Sequence, residues 1–364
     1  MYRKPVCRLF FIIVLSAAAI ILLLPMHNAA GGSTTPALIT PLPLGNNGAP
    51  GQMVQLNNDY WFTAPGSNAI GRLIITSTNP LDYSFVFYDI PTANSQPYDL
   101  AAHNGLIWFT ELNTNKLGKL DTATGMITEY TIPTANSQPT GVAAASDGTI
   151  WLAERAGNQL ASFNPTTETF TEYPYSPSQG APADLAPEDV AVMSAGNIIW
   201  FTSPSTTRLV SFNTGTQLYT LVLTATPGSS AYTPSQVVLD SSGNVWISTH
   251  NGRIGRYSPS TIQIFAFYPV APETSAIDGL YYRNVSGDNQ LWFTESNTGF
   301  AGQITTAVNG SPKSNWRFPV INGSALGIIA DNQNNAFIAD NTNHNIILWA
   351  SPYFLNTYLP AILK

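Results

Sequence analysis

Two sets of carboxylates recur at fixed places in this chain. Glu111, Glu154, Glu295 and Asp340 each stand three residues after an aromatic: Trp108, Trp151, Trp292 and Phe337. Asp99, Glu188, Asp189 and Asp278 stand at the starts of the apolar segments that precede the aromatics. Carboxylates gathered in this way suit Ca²⁺ or Mg²⁺, hard cations that take oxygen ligands. Glu111, Glu154, Asp99 and Asp278 are the candidate ligands. A plainer reading has the same acids cap loops and accept backbone N–H bonds. Tyr98, within Gln96-Pro97-Tyr98, offers a ring for stacking, and His250 lies near the same segments with no nucleophile paired to it. Tyr98, Asp99, Glu188, Asp278 and His250 are therefore candidate ligand-binding residues, and no residue is singled out as catalytic.

Positioning these groups falls to a repeat. Trp61, Trp108, Trp151, Trp200, Trp246, Trp292 and Phe337 are spaced 47, 43, 49, 46, 46 and 45 residues apart. The text around them repeats too: WFTELNTNKLGKL at 108–120, WFTAPGSNAIGRL at 61–73 and WFTESNTGFAGQI at 292–304. In the second unit, residues 98–102, 106–110, 116–121 and 126–132 are runs of apolar and β-branched residues separated by turn formers, which predicts four strands a to d. Asn104-Gly105 and Asp147-Gly148 are hairpin signals between strands a and b. Asp240 to Asn244 occupies the same place and reads as a turn. No stretch keeps a helical period. Four-stranded units at this spacing predict an all-β, seven-bladed β-propeller of four-stranded blades, with the aromatics packed between blades. Strand-b ends and strand-a starts then share one end of the ring. Ala37 to Leu44 matches a strand d with no blade before it, so it is expected to close the seventh blade, with residues 354–360 competing for that place.

The first thirty residues read differently. Arg3, Lys4 and Arg8 precede an apolar run from Leu9 to Leu24, and small residues follow at Ala29 to Gly32. This is the pattern of a secretory signal peptide, expected over 1–32, with the propeller at 33–350 and a strand or tail at 351–364. An uncleaved anchor is the alternative, although the run is shorter than the ~20 residues of a typical membrane span. Cys7 is the sole cysteine, so a processed chain has no disulfide or thiolate site. Processing also removes three basic and no acidic residues, which takes the formal charge from −7 to −10. An acidic chain with no basic cluster argues against nucleic acid and anionic membranes as partners. The sequence points to a secreted monomer, with no membrane insertion once the signal is removed. Its expected partner is a small molecule, glycan or protein at the channel mouth. Asn284-Val285-Ser286 and Asn322-Gly323-Ser324 match the glycosylation pattern.

The segments Trp108 to Asp121, Ile127 to Ala143 (ITEYTIPTANSQPTGVA) and Asp147 to Glu154 (DGTIWLAE) resemble the streptogramin B lyase (virginiamycin B lyase) family of seven-bladed propellers. The resemblance runs through all seven units, over about 37–349. It implies a metal-assisted elimination that opens a cyclic depsipeptide, with magnesium and a histidine base at strand-a starts of the form Pro-His-Gly-Ile or Pro-Tyr-Gly-Ile. Carried over position by position, the first-blade tyrosine falls on Gly51 and the sixth-blade histidine on Asp278. The base histidine falls on Leu326, the glutamate before it on Ser324 and the strand-b glutamate on Asn341. None of His27, His103, His250 and His344 follows a proline at a strand-a start. The expectation is a ligand- or surface-binding module without lyase activity. The alternative is a metal-dependent lyase or lactonase of the streptogramin lyase or gluconolactonase-like type with a rearranged site.

Overall fold

The computed structural model describes residues 38–350, except 46–47, 79–80, 179–180, 194–196, 225–230, 260–264, 308 and 321–322. The expected signal segment, Ala37 and residues 354–360 lie outside the described residues. Seven four-stranded antiparallel sheets form the ring, as the repeat predicts. Blade 1 holds Met53–Leu56, Asp59–Ala64, Ala69–Thr78 and Leu81–Asp89 as strands a to d. Blade 2 holds Pro97–His103, Leu106–Glu111, Lys116–Asp121 and Ile127–Thr131. Blade 3 holds Pro139–Ala144, Ile150–Glu154, Gln159–Asn164 and Thr169–Pro174. Blade 4 holds Val190–Val192, Ile198–Ser203, Arg208–Asn213 and Leu218–Leu223. Blade 5 holds Pro234–Leu239, Val245–Thr249, Arg253–Tyr257 and Phe265–Pro269. Blade 6 holds Ile277–Val285, Asp288–Glu295, Phe300–Ala307 and Pro312–Pro319. Blade 7 takes Ala325–Ala330, Ala336–Asp340 and Asn345–Ala350 from the end of the propeller, and Leu38–Pro43 from its beginning as strand d. The pairing of Leu38 with Ala350 through Pro43 with Asn345 closes the ring without a covalent link.

Each aromatic anchor sits near the middle of a strand b and faces the following blade. Trp108 packs with Leu152 and Phe163 of blade 3, and Trp151 with Phe201 and Phe212 of blade 4. Trp292 meets Trp349 of blade 7, and Phe337 stacks on Tyr60 of blade 1 with ring centroids 3.9 Å apart. Seven such clusters fill the seven junctions, so a blade buries its faces only against its neighbours. The WF pair explains a glycine as well. Phe109 lies opposite Gly118 of strand c, where an added Cβ would sit 2.1 Å from the ring. The cationic residue one place further on, Lys119, lies over Trp108.

Turns between strands b and c form the rim at the mouth end. Asn115 takes a left-handed backbone with φ of 60°. Its side chain donates to the carbonyls of Ile132 and Thr134 and accepts from the Ser137 N–H at 2.7 Å. Asn68 does the same work for Ile90, Thr92 and Ser95. These asparagines tie the rim of one blade to the segment entering the next.

Candidate functional site

The mouth is lined by the first residues of the seven strands a. Two places before the inward apolar residue of each strand stand Gly51, Tyr98, Thr140, Glu188, Ser235, Asp278 and Leu326. One place later stand Gln52, Asp99, Gly141, Asp189, Gln236, Gly279 and Gly327. A hydroxyl from strand b fixes several of these backbones. The Thr110 hydroxyl donates to the Thr140 carbonyl at 2.6 Å and accepts from the Asp99 N–H at 3.2 Å. Thr202 joins Ser235 and Asp189 in the same way, and Thr294 donates to Leu326.

The second residue decides how neighbouring blades meet. Asp99 accepts from the Val142 N–H of the next blade at 2.9 Å, and Asp189 from Val237 at 2.7 Å. Gln236 accepts from Leu280 at 2.7 Å. At Gly141 the backbones meet directly, with its N–H on the Glu188 carbonyl at 2.8 Å. A Cβ at Gly279 would approach the Leu326 carbonyl to 2.2 Å, so glycine is required where blades 6 and 7 touch. The inner wall thus alternates between side-chain spacers and direct contact.

Above this wall lies a cavity of about 550 Å³. Tyr98, Asp99, Glu188 and Asp278 all line it, together with Leu326. His250, the fifth expected residue, reaches Asp278 with its Nε2 2.8 Å from the carboxylate. Ser235 and Ser296 also donate to Asp278. Burial alone would raise the Asp278 pKa, but the bonds from His250, Ser296 and Ser235 outweigh it and hold the carboxyl below its usual value. The same bond raises the His250 imidazole. Across the mouth, the Tyr98 hydroxyl donates to Glu188 at 2.5 Å, passing over the small Thr140 of the intervening blade. Arg155 holds the other oxygen of Glu188 at 2.9 Å. Burial pushes the Asp99 carboxyl up to about 7 against the pull of its backbone bonds, and burial and the Asp99 charge push Asp189 well above the carboxylate range.

Glu111 and Glu154 do not join this group. Both are fully buried, line no part of the mouth cavity and turn into their own blades. Thr114 donates to Glu111 at 2.7 Å and Gln159 to Glu154 at 3.0 Å, and the other oxygen of each acid has no hydrogen-bond partner among the described residues. Glu295 takes a bidentate bond from Arg317 at 2.5 and 2.7 Å, and Asp340 accepts from Asn343. Among the described residues no three His, Cys, Asp or Glu side chains converge as a metal site. The mouth carboxylates fit a cation poorly for a direct reason. Asp99 is occupied by the Leu100 and Val142 N–H groups, Asp278 by His250 and two serines, and Glu188 by Tyr98 and Arg155.

Three contributors to the mouth lie outside the expected site residues. Asp189, named only as a recurring acid, and Gln236 replace the glycine of the Pro-X-Gly pattern, and that replacement was the available signal. Arg155, directly after Glu154, carries no local pattern that would pair it with Glu188. Asp240 proves to be a turn anchor, accepting from the backbone of Ser242 and Asn244 and from the Trp246 indole.

The model of the virginiamycin B lyase family matches residues 27–214. Among solved structures, a streptogramin B lyase is 21% identical with a TM-score of 0.71, covering 86% of this chain and 97% of that one. A virginiamycin B lyase from Staphylococcus aureus is 21% identical, also at 0.71, covering 86% and 99%. An extracellular domain assigned to a hybrid two-component system of B. thetaiotaomicron is 15% identical at 0.61, covering 86% of this chain and 42% of that one. No curated protein matches the sequence. No helix among the described residues is long and apolar enough to cross a membrane.

Proposed function

The chain belongs to the virginiamycin B lyase family, and from that membership and its altered mouth we propose a secreted binding module that works through the strand-a face without lyase activity. One observation carries this reading. Leu326 stands in the mouth cavity at the place where the family resemblance puts the general base. A leucine cannot take the proton, and base catalysis contributes on the order of 10² to 10⁴ in rate. Gly51, Ser324 and Asn341 at the companion positions supply no replacement base, and the Asn341 amide is spent on the Pro50 carbonyl. What persists is a cavity about 550 Å³ in volume, within the usual ligand range of ~300 to 1,000 Å³, with hydrogen-bonding groups held in place by one another. The N-terminal pattern of Arg3, Lys4, Arg8 and the apolar run supports export, as does the likeness to extracellular domains.

A second reading, an enzyme with a rearranged site, is favoured by the hydrogen-bonded His250–Asp278 pair at the cavity edge. One experiment separates the two. Purified protein is incubated with a streptogramin B and magnesium, and ring opening is followed by mass spectrometry. The binding-module reading expects no product above the buffer control. Turnover that disappears in His250→Ala would establish the enzyme instead.

A further inference from the structure

We propose that a recess between blades 7 and 1, on the face opposite the mouth, is a second binding site that accepts a single sugar ring. The face is set by strand length. Strands c and d of blade 1 run for 10 and 9 residues, and strands c and d of blade 6 for 8 each, against 5 or 6 in blades 2 to 5. Their extra residues lie at the c–d turns, away from the mouth. Blade 7, with its short turn at Asp331 to Asn335, sits between two taller neighbours. The cavity beside blade 1 has a volume of about 350 Å³.

Tyr60 supplies a hydroxyl donor to this recess. It is only 5% exposed, its ring is clamped against Phe337, and it lines this cavity. The hydroxyl opens into the cavity, where it can donate to a bound acceptor. Burial, with the nearby Asp331 charge second, raises its pKa, so the group stays a proton donor. Because stacking already fixes the ring, little rotamer entropy is lost on binding.

The lining selects the chemistry. No lysine or arginine is among the described lining residues, and the nearby Arg283 guanidinium is spent on the Asp331 carbonyl, so the recess favours a neutral ligand. The Asp331 carboxylate is engaged by Gln333 and Asn335 of its own turn. The carboxamides of Gln55 and Asn58 can each donate and accept, which matches hydroxyl groups that do both. Ile75 and Leu81 form an apolar wall suited to the C–H face of a pyranose.

A free monosaccharide and the terminal sugar of a glycan present the same ring. The test uses saturation-transfer NMR on the full protein with glucose, galactose, mannose and N-acetylglucosamine in turn. At least one sugar should receive transfer, reduced five-fold or more by Tyr60→Phe and by Asn58→Ala. Asn58 is exposed, so its variant keeps the test valid if Tyr60→Phe fails to fold. The mouth variant Tyr98→Phe should leave the signal intact. Beads bearing the same sugar as a glycan terminus distinguish the sources: capture identifies a glycan, and binding of the free sugar alone identifies a small molecule. Absence of transfer from all four sugars, a signal unchanged in both Tyr60→Phe and Asn58→Ala, or its loss in Tyr98→Phe would overturn the proposal.

Discussion

Glu295→Gln and Glu111→Gln alter the same position of the repeat and should have opposite effects. Glu295 is fully buried and holds the Arg317 guanidinium through two short bonds. Removing one partner of a buried pair costs about 3–5 kcal/mol. Arg317 is 28% exposed, so water recovers part of that loss and about 2 kcal/mol is expected. At roughly 2 °C per kcal/mol, the lower end for a large domain, Tm should fall by about 4 °C. Glu111 is equally buried, but one oxygen has no partner among the described residues, and burial pushes its pKa up to about 7 from 4.5. At pH 8 the folded protein carries that charge unfavourably, by up to about 3 kcal/mol. Glu111→Gln should therefore leave Tm unchanged or raise it at pH 8, and the gain should fade at pH 5.5, where the acid is protonated in the fold. Differential scanning calorimetry at both pH values measures this. Equal falls in Tm for the two variants at pH 8 would refute the reasoning, because position in the repeat would then outweigh the partner.

Wild-type Tm should decline between pH 5.5 and 8.5. Asp99, Glu111 and Glu154 have folded pKa values of about 7, above their unfolded values, and His250 is raised too, so their stabilising contribution is fullest at low pH and is lost as pH rises through the folded values; a melting curve series showing no decline would contradict it. Trp108→Ala should cost about 3–5 kcal/mol by opening the junction of blades 2 and 3, read from denaturant midpoints. Gly118→Val should destabilise more than Gly105→Ala, because the first drives a side chain into Phe109 while the second meets open space and only backbone strain. N-terminal sequencing of secreted protein should show a start near residue 33; a start at Met1 would show retention of the apolar segment.

The blades were readable because each anchor serves one junction and must recur once per unit. The ring closure was half readable: Ala37 to Leu44 resembled a strand d, yet a strand pattern cannot say which of two segments wins the edge of Asn345–Ala350. The carboxylates show where reading stops. Both sets lie toward the mouth end, but only the strand-a set faces the cavity, because a side chain at the end of strand b can turn back into the tight b–c turn. The sign of this was present in the spacing. Glu111 and Thr114, Glu295 and Thr298, and Asp340 and Asn343 are each three apart, and each pair is hydrogen-bonded. The Tyr98–Glu188 bond spans 90 residues and skips a blade, so no local pattern could announce it.

Closing the seventh blade with Leu38–Pro43 has a consequence for the order of events in the cell. That strand is made first, yet its partner Asn345–Ala350 emerges some three hundred residues later. Throughout synthesis it can form no native pairing, and the ring stays an open arc with an unpaired edge at its leading end. The last step of folding is therefore a meeting of the two ends of the propeller, and any change that weakens the edge of Asn345–Ala350 acts on that step alone.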